Sequence, residues 1–274
     1  MAPALGMNTS SFVIETSQLT KRFGDFTAVD GISMTVRGGE IFGLIGPNGA
    51  GKSTLVKMLA TLLPPTSGTA EIAGFDIRRQ PSLVRKKIGY VPQLLSADGN
   101  LTGYENLLLS ARLYLLPHRE RRTRIAAALA MMDLTEAASR LVSTYSGGMI
   151  RRLEIAQSML HGPAVLFMDE PTVGLDPVAR NAVWAHVKEL REKLGTTILI
   201  TTHMMEEADR LCDRIGLLHV GRLQEVGTPQ DLKDHVGPGA TLDDVFAHIT
   251  GAAIDSGGSY RDTQRTRSSI RAHS

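Results

Sequence analysis

Gly46-Pro47-Asn48-Gly49-Ala50-Gly51-Lys52-Ser53 fits the spacing G-x-x-x-x-G-K-[ST], and its flanks decide how it is read. Ile41-Phe42-Gly43-Leu44-Ile45 before it is a short apolar run of strand character, and Ser53–Leu62 after it has the composition of a helix. Strand, glycine loop and helix in that order make a phosphate-binding unit. Glycines let backbone N–H groups converge on phosphate oxygens, and the following helix adds the positive end of its dipole. Lys52 is expected to reach the outer phosphates, and the Ser53 hydroxyl to ligate Mg²⁺. Pro47, Asn48, Ala50 and Thr54 are placed in the same phosphate-contacting stretch, so a nucleoside triphosphate is the expected ligand.

Outward from the loop, Ala164–Met168 and Thr197–Thr201 are continuous apolar or β-branched runs, as expected of parallel strands buried on both faces. Asp169 and Glu170 close the first run and His203 follows the second, which puts all three at the sheet edge where open α/β folds bind ligands. Between the runs Asp176 reads as a helix N-cap with Pro177 at the first position. Val183, Val187, Leu190 and Leu194 share one face of that helix before Gly195. Gln93 follows a further short strand, Ile88–Val91, and Pro92. Earlier in the chain, Phe12–Gln18 and Phe26–Val36 alternate well enough for antiparallel strands.

The stretch Thr102–Met132 is helix-forming, opened by the capping box Thr102-x-x-Glu105 and divided by Pro117. Ser146-Gly147-Gly148 opens another helix, on which Ile150, Leu153, Ala156 and Leu160 recur at helical spacing. A helix start with two glycines is a second anion site, yet one nucleotide cannot occupy both sites on a single domain.

Taken in order, Gly46–Ser53, Gln93, Tyr145-Ser146-Gly147-Gly148-Met149, Phe167-Met168-Asp169-Glu170-Pro171 through Asp176, and His203 resemble the ATP-binding subunit of an ABC transporter. The resemblance runs from about Val13 to about Gly251. It implies an α/β P-loop NTPase of ABC type: a mainly parallel sheet core, an N-terminal antiparallel β subdomain and an inserted α-helical subdomain. ATP and Mg²⁺ are the implied ligands. Asp169 would hold the metal through water, with Ser53 and Gln93, and Glu170 would orient and polarise the attacking water. His203 would contact the γ-phosphate and that water, while Gln93 would sense metal and water. Phe23 would stack on adenine, with Phe26 the weaker alternative. Ser146, Gly147 and Gly148 would cap the γ-phosphate held by a second copy, joined head to tail, and Asp176 is counted among the nucleotide-binding positions.

The resemblance also implies a separately encoded membrane permease, docked on Leu94–Leu115. Tyr145 and Met149 depart from the commoner Leu-Ser-Gly-Gly-Gln, but Ser146 and both glycines remain. Together with Gly174-Leu175-Asp176-Pro177 and the ending Leu242-Asp243-Asp244-Val245-Phe246, they look like the ATPases of ABC-2 type exporters, the daunorubicin-resistance-like group above all. Export of a drug, antibiotic, lipid or lipo-oligosaccharide is the expectation. An importer ATPase is the first rival; the second is a non-transport ATPase acting on DNA or the ribosome. The short ending argues against the first. Against the second, only 94 positions separate Lys52 from Ser146, too few for a long coiled-coil insertion.

Composition agrees. The formal net charge is +2, and Arg261, Arg265, Arg267 and Arg271 against Asp255 and Asp262 supply that surplus, which leaves a neutral body and no expected nucleic-acid partner. The single cysteine, Cys212, points to a reduced, cytoplasmic compartment, with membrane contact through the permease alone. The expected organisation is a disordered lead (1–11), the ATP-binding domain (12–230, helical subdomain about 94–160), a short extension (231–251) and a disordered Ser/Arg-rich tail (252–274).

Overall fold

The computed structural model describes residues 12–251; the lead 1–11 and the tail 252–274, expected above to be disordered, lie outside the described residues. Strands β1 (Phe12–Phe23) and β2 (Phe26–Arg37) form an antiparallel hairpin with Phe23 opposite Phe26. The turn between them uses Gly24 at φ 56°, a left-handed value that costs glycine little. The chain then leaves for a second sheet through β3 (Ile41–Ile45) and returns with β4 (Ser67–Ile72) and β5 (Phe75–Asp76) to complete the first, ordered β2-β1-β4-β5.

The second sheet adds β6 (Ile88–Val91), β7 (Val165–Asp169), β8 (Thr197–Thr202), β9 (Arg214–His219) and β10 (Arg222–Gly227). Its order is β10-β9-β3-β8-β7-β6, parallel throughout except for β10 on the edge. The continuous apolar runs are explained by two cores, one on each face. Phe42, Leu44, Val165, Phe167 and Leu199 face helix α1 (Lys52–Leu59) and the antiparallel sheet. Ile41, Ile45, Leu166, Met168, Ile198 and Ile200 face the other helices, apart from the short one at 81–87, whose Val84 joins the first core. Each such side chain, once fully buried, contributes about 1.5–3 kcal/mol. Helix α1 ends three residues before the expected Leu62, because Thr61 takes a left-handed φ of 59° and Pro64-Pro65 follow.

Helix α2 (Pro81–Lys87) leads into β6. The helical insertion comprises α3 (Gly103–Leu113), α4 (His118–Met131) and α5 (Gly147–Met159). The capping box forms, with both the Thr102 and Glu105 halves bonded, and Pro117 caps α4. Helix α6 (Pro177–Leu194) starts on Asp176 and stops at Gly195, φ 64°, with Val183, Val187 and Leu190 buried and Leu194 exposed in the last turn. Helix α7 (Met205–Leu211) joins β8 to β9. At the end of the described chain, α8 (Pro229–Val236) begins two residues before the expected boundary at 231. With α9 (Leu242–Thr250) it brings Leu232, Leu242, Val245 and Phe246 into the same core as the parallel sheet.

Candidate active site

Loop 46–53 sits where an added methyl group would not fit. A Cβ on Gly46 would lie 2.1 Å from the Leu218 carbonyl oxygen, and one on Gly51 would lie 2.4 Å from that of Ala28. Gly51 also has φ 106°, so glycine is required there by conformation and by space. The loop is thereby pressed onto β2 and β9 and hands the chain directly to α1, whose first residue is Lys52. Lys52 is buried, and its ammonium donates to the Gly46 and Pro47 carbonyls at 2.7 and 3.1 Å and lies 3.3 Å from Glu170 Oε1. Burial lowers its pKa, opposed by the charges of Glu170 and Asp169. A partly desolvated cation at a helix N-terminus fits a polyanionic ligand.

At the next residue, Ser53 Oγ donates to Asp169 Oδ1 at 2.9 Å, and Thr201 Oγ1 donates to the same oxygen at 2.6 Å. Hydroxyl and carboxylate oxygens are the ligands that Mg²⁺ takes, and it needs few of them from protein. Glu170 follows at the end of β7 with a φ of 47°, uncommon for a residue with a side chain. Its backbone N–H donates to the Thr201 carbonyl and hydroxyl, at 3.1 and 3.0 Å, which holds that conformation. Gln93 Nε2 donates to Glu170 Oε2 at 3.2 Å. His203 Nδ1 lies 3.4 Å from the same oxygen without the geometry of a hydrogen bond. Burial pushes the Glu170 carboxyl upward, but contact with His203 and the Lys52 charge outweigh it, and the pKa ends below 4.5. A carboxylate poised ionised among a cation, an amide and an imidazole can accept a proton from water.

Lys52, Ser53, Gln93, Asp169, Glu170 and His203 are thus brought together at one sheet edge. Ser146–Gly148 and Asp176 are not part of that cluster. Ser146 caps α5, accepting from Met149 N–H at 3.3 Å, and Asp176 Oδ1 caps α6, accepting from Val178 and Ala179 N–H at 3.0 Å each. The two helix starts touch: a Cβ on Gly148 would meet that of Ala179 at 2.7 Å. Among the described residues, neither makes a hydrogen bond to the 46–54 loop. Tyr145 donates its hydroxyl to the Ala137 carbonyl at 2.6 Å, which gives this departure from the commoner leucine a role in seating α5. A cavity of about 270 Å³ beside the loop is lined by Phe26, Pro47, Asn48, His219 and Val220. The Phe23 ring instead lies under the Lys21 ammonium, 5.1 Å away.

Thr201 is the residue missed in reading the chain, although the two hydroxyls that end a buried strand just before His203, Thr201 and Thr202, were the available signal. Thr172 and Trp184 were missed as well. Both donate to Oε1 of buried Glu207, at 2.7 and 2.8 Å, tying the turn after Glu170 to α6 and α7.

The sequence profile of the ABC transporter family matches residues 29–173. The chain is 47% identical, over 84% of its length and 70% of the relative's, to the daunorubicin/doxorubicin resistance ATP-binding protein of Streptomyces peucetius. It is 42% identical, over 82% of its length and 72% of the relative's, to the linearmycin resistance ATP-binding protein of Bacillus subtilis. Its fold is similar to the dimeric post-hydrolysis state of an ATP-binding cassette bound to ADP and phosphate, with a TM-score of 0.70 and 27% identity over 78% of this chain and 98% of that one. With the loop, the paired carboxylates and the histidine at one edge of a parallel sheet, the chain belongs to the ABC transporter family, as an ATP-hydrolysing subunit.

Proposed function

We propose that this subunit hydrolyses ATP at the cluster just described, with Glu170 as general base, and that the energy drives efflux of a drug or antibiotic through a separate permease. The observation that carries the reading is Glu170 Oε2, on which Gln93 and His203 converge while Oε1 faces Lys52. In this mechanism Lys52 exchanges the Gly46 and Pro47 carbonyls for phosphate oxygens, so that its charge sits on the group being transferred. Glu170 takes the proton of the attacking water, Gln93 and His203 orient that water, and His203 also faces the γ-phosphate. Mg²⁺, when bound, neutralises phosphate charge, and Ser53, Asp169 and Gln93 are the residues that would hold it. Either ring of the Phe23–Phe26 pair can stack on adenine; Phe23 is the proposed one.

Separation of Ser146–Gly148 from the cluster supports a head-to-tail pair, in which each copy caps the other's γ-phosphate. The similar fold seen as a dimer with ADP and phosphate is consistent with it. No helix among the described residues is long and apolar enough to cross a membrane. Leu94, Leu109, Leu113 and Leu115 are exposed apolar side chains around the helical insertion, and this is the surface proposed for the permease. The resistance named in both relatives supports efflux. The test is phosphate release from Mg²⁺–ATP at increasing protein concentration. Specific activity that rises with concentration is expected of a site completed by a second copy, and activity strictly proportional to protein would overturn the shared site.

A further inference from the structure

The loop after β6 and the first turns of α5 are joined by charged groups to which the hydrolytic cluster assigns no role. Arg151 is only 2% exposed. Its Nη1 donates to the Pro92 carbonyl at 2.6 Å and to Glu154 Oε2 at 2.9 Å, and its Nη2 donates to the Gln93 carbonyl at 2.8 Å. Glu154, equally buried, accepts from the backbone N–H of Ser96 and from its hydroxyl. Two side chains one turn apart on α5 therefore grip both ends of segment 92–96.

Stability alone is a weak reason for such a pair. Desolvating both charges offsets most of their attraction, and apolar residues of equal volume often do as well. Arg151 Nε has no hydrogen-bond partner, so what the guanidinium contributes is the fork of its two terminal nitrogens on two successive carbonyls. One of those carbonyls belongs to Gln93, whose side-chain amide is bonded to Glu170. Fixing the Gln93 backbone limits where its amide can reach.

We propose that Arg151 and Glu154 are positioning residues for ATP hydrolysis: by clamping segment 92–96 to α5 they hold Gln93 against Glu170. This inference rests on the roles given above to Gln93 and Glu170. Ser146–Gly148 opens the same helix that carries the clamp, so the clamp ties that turn to the Glu170 carboxylate through less than two turns of α5. In an ATP-joined pair the phosphate at Ser146–Gly148 belongs to the opposite site. Each site then reads the other's occupancy through its own Gln93.

The test is a cycle of Gln93→Ala, Arg151→Lys and the double variant in the full chain, with ATP turnover, KM and thermal melting measured for each. Lysine keeps a charge beside Glu154 but cannot serve two carbonyls and a carboxylate as the fork does. Arg151→Lys is expected to lower kcat about tenfold with KM within about twofold, and the double variant should be no slower than Gln93→Ala alone. Losses that multiply in the double variant, or an unchanged kcat in Arg151→Lys, overturn the proposal. Where Arg151→Lys does not fold, Ser96→Ala removes one hydroxyl contact of the clamp. It should lower kcat about threefold in the wild type and not at all beside Gln93→Ala. Any other pattern counts against the clamp. An unchanged kcat in Gln93→Ala itself would show that the role of Gln93 is what failed, and the clamp proposal falls with it.

Discussion

Replacing Glu170 by Gln keeps the shape of the side chain and its place between Lys52 and Gln93, and removes only its ability to take a proton. A positioned general base contributes about 10²–10⁴ in rate, equivalent to about 3–5 kcal/mol. The structure narrows the range. Of the three groups around the carboxylate, the Lys52 ammonium and the Gln93 amide cannot accept a proton, whereas the His203 imidazole, 3.4 Å from Oε2, can. A weak substitute therefore remains, and a fall of about a thousandfold in kcat is expected. Glu170→Gln combined with His203→Ala should fall further. Binding should persist, because Lys52 and the glycine loop are untouched and removing the carboxylate lessens repulsion of the phosphates, so the dissociation constant for ATP should stay within about threefold or tighten. The assays are single-turnover phosphate release, equilibrium ATP binding, and size measurement with and without ATP, in which the variant should accumulate as an ATP-bound pair. A Glu170→Gln protein that turns over within about tenfold of wild type would refute the assignment. The pH profile is a second check. In the free protein the Glu170 pKa is lowered from the usual carboxylate value, and a base acts only above its own pKa, so in kcat/KM, which reports the free enzyme, its acid limb belongs below the usual carboxylate range, and a limb near neutrality that disappears in Glu170→Gln would contradict the reading.

Lys52→Ala should lose ATP affinity as well as turnover, because its charge sits on the transferred group, and unchanged binding would count against the phosphate loop. Gly51→Ala must move the loop, since the new methyl would stand 2.4 Å from the Ala28 oxygen at φ 106°, so nucleotide binding should be lost while far-ultraviolet circular dichroism stays close to wild type. Stacking of a base on an aromatic ring is worth about 1–3 kcal/mol in nucleic-acid binders, so Phe23→Ala should raise the ATP dissociation constant about fivefold or more, and Phe23→Tyr should change it little. A loss confined to Phe26→Ala would move the adenine to the cavity that Phe26 lines. In the capping box of α9, hydrogen bonds from the Thr241 backbone and hydroxyl lower the Asp244 pKa below its ordinary 3.8. Its contribution is present in full above the unfolded value and is lost as pH falls through the lower folded value, so the melting-temperature gap between wild type and Thr241→Ala should narrow below pH 3.8 to what the Thr241 hydroxyl contributes by accepting from the Asp244 N–H. A gap that stays constant down to acid-induced unfolding would rule out this linkage.

What the sequence determined by itself was local. The glycine loop, its strand and helix, the Asp176 cap, the Thr102–Glu105 box and the split at Pro117 all depend on steric and hydrogen-bonding preferences among neighbours a few positions apart. They appear in the structure within a residue or two, apart from the early end of α1. The common location of Asp169, Glu170 and His203 was also legible, because parallel strands end at one edge and each of these residues ends or follows a strand. Only the tertiary structure decided which distant residues meet. Ser53 finds Asp169 across 116 positions because β3 and β7 flank β8 in the sheet, an order that packing sets and local pattern does not. The strained Glu170 backbone could not be read from its neighbours, since the Thr201 that holds it belongs to another strand. Nor could the burial of Arg151 and Glu154: a charged pair one helical turn apart looks like a solvated face until the loop at 92–96 folds over it. The acidic ending likewise reads as a loose extension, and becomes part of the core only because the parallel sheet leaves an apolar face that Leu242, Val245 and Phe246 help to cover.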